Sequence, residues 1–194
     1  MLMTDYTQLP VVGRGDERIC YLHPVKPGRC LKISRLDKKK QTMREISYFL
    51  YLKKKGASFS MIPDFYGVVK GDNFIGFEQE LILGNNGFFP PNLYHYLSGD
   101  LSSFQEKKLW SALGKYKKYL IDNNIVVCDL VLSNFLVVEC EKQTKIYLVD
   151  GFGASEFFPV ANYSKFIGRL KINRKWERFL NEKVIPLCSP GFIE

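Results

Sequence analysis

The chain has 194 residues, 46% of them apolar and 14% aromatic, enough for a packed core in one large domain or two small lobes, which excludes a disordered chain. Its 28 Lys and Arg against 20 Asp and Glu leave a formal net charge of +8, so it favours anionic partners. No apolar run reaches the ~18 residues of a membrane span, and Met1 to Pro10 hold neither a basic start nor a long apolar stretch, so a cytoplasmic protein without a transmembrane segment is expected.

Leu9 to Val12 reads as a strand running into the turn Gly13-Arg14-Gly15-Asp16, with Arg18 to Leu22 as its partner. Gly13 and Gly15 let the backbone approach phosphate oxygens closely and aim N–H groups at them, although an ordinary hairpin uses the same residues. His23 to Gly28 is a turn by its Pro and Gly content, and Cys30 to Ile33 is a third strand with Lys32 among apolar neighbours. An ammonium in a buried strand needs an anionic partner. From Gln41 to Lys55 the apolar Ile46, Phe49, Leu50 and Leu52 recur at helical spacing, Lys53 to Lys55 suit the negative end of the helix dipole, and Gly56 stops the helix. Glu45 borders that apolar face and is the expected partner of Lys32. At ~4 Å and an effective dielectric near 20 such a pair attracts by about 4 kcal/mol before desolvation. Phe65 to Val69 and Phe74 to Leu83 read as two more antiparallel strands, and a boundary is expected near Gly84 to Gly87.

Ser103-Phe104-Gln105-Glu106 has capping-box spacing. The helix it predicts packs through Leu109, Trp110, Leu113, Tyr116, Leu120 and Ile121 and ends at Asn123-Asn124. Next come two short apolar strands, Phe135 to Val138 and Ile146 to Val149, joined by the polar segment Glu139 to Lys145. Asp129 precedes this hairpin, Asn134 follows five positions later and Asp150 stands just after its second strand, so two carboxylates and an amide meet at one hairpin edge. One carboxylate there can receive the proton of an acceptor hydroxyl, and the other, with the amide oxygen, can hold Mg²⁺ against phosphates. Asp and Asn also make turns and caps, which is the structural alternative for each taken singly.

Ser164 to Val184 reads as a basic helix packed through Phe166, Ile172, Trp176, Phe179 and Leu180. Its cations, Lys165, Arg169, Lys171, Arg174, Lys175 and Arg178, come without a helix-turn-helix, zinc-finger or RNA-binding signature, so a solvated face or an anionic substrate is expected rather than nucleic acid. The five cysteines include no C-x-x-C and have only His23 and His95 beside them, which fits a reducing compartment. Cys128, next to Asp129, is read as packing rather than as a nucleophile.

Asp129, then Asn134, a hairpin, and Asp150 ahead of Phe152-Gly153 resemble the catalytic and metal-binding loops of the protein-kinase-like superfamily. Along nearly the whole chain, G-R-G-D-E-R-I-C-Y-L-H-P (13–24), C-L-K-I (30–33), R-E-I-S-Y-F-L-Y-L (44–52), Y-L-I-D-N-N-I-V (119–126), S-N-F-L (133–136) and V-D-G-F-G-A-S-E-F-F-P-V-A-N-Y-S-K (149–165) resemble the bacterial PhoP regulatory network protein YrbL family. The resemblance implies an α+β, minimal two-lobed protein-kinase-like fold. In it residues 1–84 would form a five-stranded antiparallel first lobe with one helix, and residues 85–194 a reduced, mostly helical second lobe. It implies ATP and Mg²⁺ as cofactors, with Gly13, Gly15 and Lys32 on the phosphates and Glu45 positioning Lys32. Backbone groups at Glu80 and Ile82 would meet adenine, Asn134 and Asp150 the metal, and Asp129 the acceptor hydroxyl.

Departures from the kinase pattern shape the functional expectation. Val127-Cys128 stand where His-Arg would precede the catalytic Asp, Val131 replaces the lysine two residues after it, and Gly151 is inserted between Asp150 and Phe152. With only 41 residues after Gly153, the long lobe that receives a peptide substrate in that superfamily is not expected. The expected activity is therefore phosphoryl transfer to a small-molecule or sugar-type hydroxyl. The alternative is a regulatory pseudokinase that binds nucleotide or a protein partner without chemistry.

Overall fold

Apolar and β-branched runs in the first part of the chain pair into one antiparallel sheet of β1 (Val11–Arg14), β2 (Ile19–Leu22), β3 (Arg29–Arg35), β4 (Phe65–Lys70) and β5 (Phe74–Glu80), in the order β1-β2-β3-β5-β4. The structure, a computed structural model, describes residues 6–153 and 164–188, so expectations placed on residues 1–5 and 154–163 lie outside the described residues. These form a mixed α+β protein whose helices are α1 (Lys40–Lys54), α2 (Leu93–Leu97), α3 (Ser103–Asp122) and α4 (Lys165–Phe179). Contacts group the chain into two compact units, residues 1–59 with 63–82, and residues 60–62 with 83–194.

In the first unit β3 is central, which explains why Cys30 to Ser34 are buried without alternation. Its β2 neighbour sets Ile19 opposite Ile33, and β5 sets Phe77 opposite Lys32. Phe49 of α1 packs against Phe65 and Phe77 with ring centroids 5.4 and 5.7 Å away, while Tyr21, Leu31, Ile33 and Phe74 form a cluster with Tyr6 and Leu9.

Several limits differ from expectation. β1 starts at Val11 rather than Leu9, because the Leu9 N–H closes a local turn on Tyr6 and Pro10 has no N–H to give. Gly13 and Arg14, expected in a turn, are strand residues opposite Cys20 and Ile19, and the turn itself is closed by Gly15 N–H donating to Arg18 O at 2.9 Å. β5 stops at Glu80 rather than Leu83 because β3, its partner, begins at Arg29 opposite Glu80, and the Leu81 N–H turns to Gly28 O. Leu50, placed on the apolar face of α1, is exposed. The end of α1 is as expected: Gly56 adopts φ +69°, its N–H reaches Lys53 O, and Ala57 N–H reaches Leu52 O, the pair of bonds that closes a Schellman cap.

In the second unit α3 is capped one residue earlier than the spacing predicts. The Ser102 hydroxyl accepts from Gln105 N–H, and the Gln105 side chain accepts from Ser102 N–H, so the capping box is Ser102/Gln105 and not Ser103/Glu106. Asn124 ends the helix at φ 46°, with Ile125 N–H reaching Leu120 O. The hairpin is β6 (Phe135–Glu139) with β7 (Thr144–Leu148). α4 continues as a π turn (Leu180–Val184) and a 3₁₀ turn (Ile185–Leu187). Tyr116 of α3, Phe135 of β6, and Trp176 and Phe179 of α4 make one buried aromatic group, with Phe135 and Phe179 5.0 Å apart. Phe166, expected in this core, is 73% exposed. Six residues from Ile172 at ~100° per residue, it lies about 120° off the buried stripe.

Candidate functional site

The hairpin edge of the second unit is built by backbone bonds before any side chain acts. The cap on α3 sends Ile125, Val126 and Val127 into the interior, and the chain emerges as a loop that turns through the 3₁₀ segment Leu132–Asn134 into β6. Cys128 N–H then donates to Gly151 O at 2.8 Å, and Val149 N–H to Asn134 O at 2.9 Å. The two bonds fasten the loop bearing Asp129 and Asn134 to the segment bearing Asp150.

Gly151 lies at their meeting point. It has φ +84°, and a Cβ built on it would stand 2.8 Å from Asp129 O and 3.4 Å from Asn134 Nδ2. Both the handedness and the space require glycine at the position after Asp150. The Asp129 carbonyl and the Asn134 amide thus meet at the glycine that follows Asp150. Asp129 is the outer member, its side chain 69% exposed, and Asn134 and Asp150 are half-buried.

Two lysines missed by the sequence reading complete this edge. Lys175 Nζ of α4 donates to Val127 O at 2.9 Å and also to Cys128 O. Lys183 Nζ, in the π turn, donates to Leu130 O at 2.9 Å and stands 3.9 Å from Asp129 Oδ1. An α-helix throughout would turn Lys183 about 80° from Lys175; the wider π turn reduces that offset, and both lysines reach the same loop. Lys175, expected on a solvated face or at an anionic substrate, supports the loop through these carbonyls. Arg178 donates through Nε to Glu182, and Glu182, with a smaller contribution from Asp129, holds its guanidinium more firmly in the charged form.

Within the first unit, Lys32 is buried, and its Nζ lies 5.9 Å from the centroid of the Phe77 ring. Glu45 is fully buried, and its two oxygens accept from Arg18 at 2.9 and 3.1 Å in a bidentate pair. Arg18 is a further residue whose role the sequence reading passed over, the available signal being an arginine just after the Gly15 turn. Gly13 lies in β1 and Gly15 begins the turn. The Glu80 N–H donates to Asp64 O, its carbonyl accepts from the Cys30 thiol, and Ile82 is buried.

The same unit gathers charge on β5. Glu78 accepts from Arg29 at 2.8 Å and from Lys26 at 3.1 Å, with His23 Nε2 3.6 Å away. Burial alone would push the Glu78 carboxyl up, but the Arg29 and Lys26 hydrogen bonds outweigh it and hold the group below the usual carboxylate range. Burial pushes the His23 imidazole below its ordinary value, with Glu78 opposing and Lys26 and Arg29 adding to the effect.

The donors at the hairpin edge are hard oxygens, the Asp150 carboxylate and the Asn134 amide. That set fits Mg²⁺, which takes one or two protein oxygens and completes its shell with water and phosphate. No cage of three or more His, Cys, Asp or Glu side chains occurs among the described residues. No helix among them is long and apolar enough to cross a membrane.

Residues 5–183 match the family model described as PhoP regulatory network protein YrbL. The chain is 30% identical over 183 residues to "Uncharacterized protein YrbL" of Escherichia coli (strain K12), covering 91% of this chain and 86% of the relative. The protein of the same name from Shigella flexneri matches with the same identity and coverage.

Proposed function

The chain belongs to the PhoP regulatory network protein YrbL family, and from that premise we propose that it is an ATP- and Mg²⁺-dependent phosphotransferase of minimal two-lobed, kinase-like fold. Its acceptor is the hydroxyl of a small or sugar-type molecule, and it works in the cytoplasm. The observation that carries this reading is that the Asp129 carbonyl and the Asn134 amide meet at Gly151, the residue after Asp150.

In this reading Asp129 orients the acceptor hydroxyl and takes its proton as that oxygen bonds to the γ-phosphorus and the phosphorus–oxygen bond to ADP breaks. Asn134 and Asp150 hold Mg²⁺, which when bound neutralises charge on the phosphates. Lys32 and the Gly13–Gly15 backbone bind phosphate oxygens, Glu45 positions Lys32, and the backbone at Glu80 and Ile82 receives adenine. Lys183 gives Asp129 a neighbouring cation where Val131 supplies none.

Calorimetric titration of ATP with and without Mg²⁺, on wild type and Asp150→Asn, tests the site. Mg²⁺-dependent binding that the substitution removes is the expected result, followed by ATP turnover with hydroxyl acceptors that Asp129→Asn abolishes. The loss of the loop lysine at Val131 favours a second reading, a regulatory pseudokinase that binds nucleotide or a protein partner. Binding without turnover across sugars and other alcohols would select it, and absence of Mg²⁺-dependent ATP binding would overturn the phosphotransferase reading.

A further inference from the structure

The loop holding Asp129 and the α4–π-turn segment form an open cleft of about 190 Å³, lined by Asp129, Lys175, Arg178, Glu182 and Lys183 among others. Three cations face two carboxylates there, so the lining is net positive. We propose that this cleft is an oxyanion subsite, in which Lys183 and Arg178 bind the negatively charged group of the acceptor while Asp129 meets its hydroxyl. Naming the ligand as the acceptor rests on the phosphotransferase reading; the anion site stands on its own geometry.

Three features support the assignment. First, Lys183 is placed by a neutral carbonyl, Leu130 O, and not by a closed ion pair. Its nitrogen is 3.9 Å from Asp129 Oδ1, beyond hydrogen-bond length, and its side chain is 37% exposed. An ammonium has three N–H donors, so a ligand oxygen can join Leu130 O in its shell.

Second, Arg178 meets Glu182 through Nε. Its two terminal nitrogens carry four further N–H donors in the planar fork that suits carboxylate and phosphate oxygens.

Third, the cleft is small and brings Asp129 and the two free-ended cations to one place, which suits a compact acceptor. A ligand with one oxyanion and one hydroxyl a few bonds apart would span from Lys183 and Arg178 to Asp129. Phosphorylated or carboxylated small alcohols and sugars have that chemistry.

The test is titration of the full chain with inorganic phosphate at low ionic strength, followed by calorimetry or amide chemical shifts, without nucleotide or Mg²⁺. Wild type should bind phosphate saturably. Lys183→Gln and Arg178→Gln should each weaken binding at least fivefold, Lys183→Arg should retain most of it, and Asp129→Asn should strengthen it by removing a like charge. Thermal melting checks that every variant is folded; should Lys183→Gln fail to fold, Arg178→Gln and Asp129→Asn decide alone. No saturable phosphate binding in wild type, or equal affinity across the folded variants, overturns the proposal. Phosphate binding as described with no Mg²⁺-dependent ATP binding overturns the phosphotransferase reading and leaves the subsite standing. Nucleotide binding lost in Asp150→Asn with no phosphate site overturns the subsite alone. If both sites are present, acceptors carrying phosphate or carboxylate should be turned over at least tenfold better than their neutral analogues, and equal rates reject the assignment of the ligand as acceptor.

Discussion

Arg18 and Glu45 are 27 positions apart, and their side chains are 5% and 0% exposed. A buried charge is tolerated only when its remaining hydrogen-bonding capacity is met, and the bidentate geometry of the guanidinium meets two carboxylate oxygens at once. Removing the cation leaves Glu45 buried with that partner gone. Arg18→Met is therefore expected to lower unfolding free energy by about 3 kcal/mol, and the double variant Arg18→Met with Glu45→Met to regain part of the loss. Urea unfolding measures both; a single variant within ~0.5 kcal/mol of wild type would mean that other partners of Glu45 hold it without Arg18. Gly151 makes a related point about backbone. Its positive φ and the 2.8 Å approach of Asp129 O define a position that one methyl group would disturb.

Among the elements, α3 shows how two adjacent serines are told apart. Ser103-x-x-Glu106 and Ser102-x-x-Gln105 both satisfy the capping-box pattern, and the chain uses the second. Glu106, which the alternative register would need at the cap, is instead buried in the first turn. Ser102→Ala should cost about 1 kcal/mol, whereas Ser103→Ala should stay within ~0.5 kcal/mol of wild type. Denaturant midpoints of the two variants check the assignment, and a reversed order would return the cap to Ser103. α4 is placed by Trp176 and Phe179 against Tyr116 and Phe135, and that placement carries Lys175 and Lys183 to the loop carbonyls. The π turn is what lets residues eight apart serve one loop.

For the whole molecule, the charge cluster on β5 sets an expected response to acid. The His23 pKa in the fold lies below its ordinary 6.5, so the unfolded chain binds that proton more tightly and stability falls as pH drops below about 6.5. The Glu78 pKa lies below its ordinary 4.5, so its contribution is present above that pH and is lost as pH falls through the folded-state value. Urea midpoints should therefore decline in two stages between pH 8 and 3. His23→Gln should flatten the upper stage and Glu78→Gln the lower. A midpoint that rises on acidification would show that other groups dominate.

The sequence by itself determined the elements and much of their order. Apolar periodicity, Gly56, the Asn123-Asn124 stop and the polar break between β6 and β7 are local signals, and local sterics enforce them. It also determined that Asp129, Asn134 and Asp150 share a hairpin edge, because few residues and one hairpin separate them. Tertiary structure alone decided that Arg18 meets Glu45, which serine caps α3, and that Lys175 and Lys183 hold carbonyls 48 and 53 positions away. Such choices depend on how aromatic faces pack and on helical phase to within one residue. A lysine's spacing in sequence records neither.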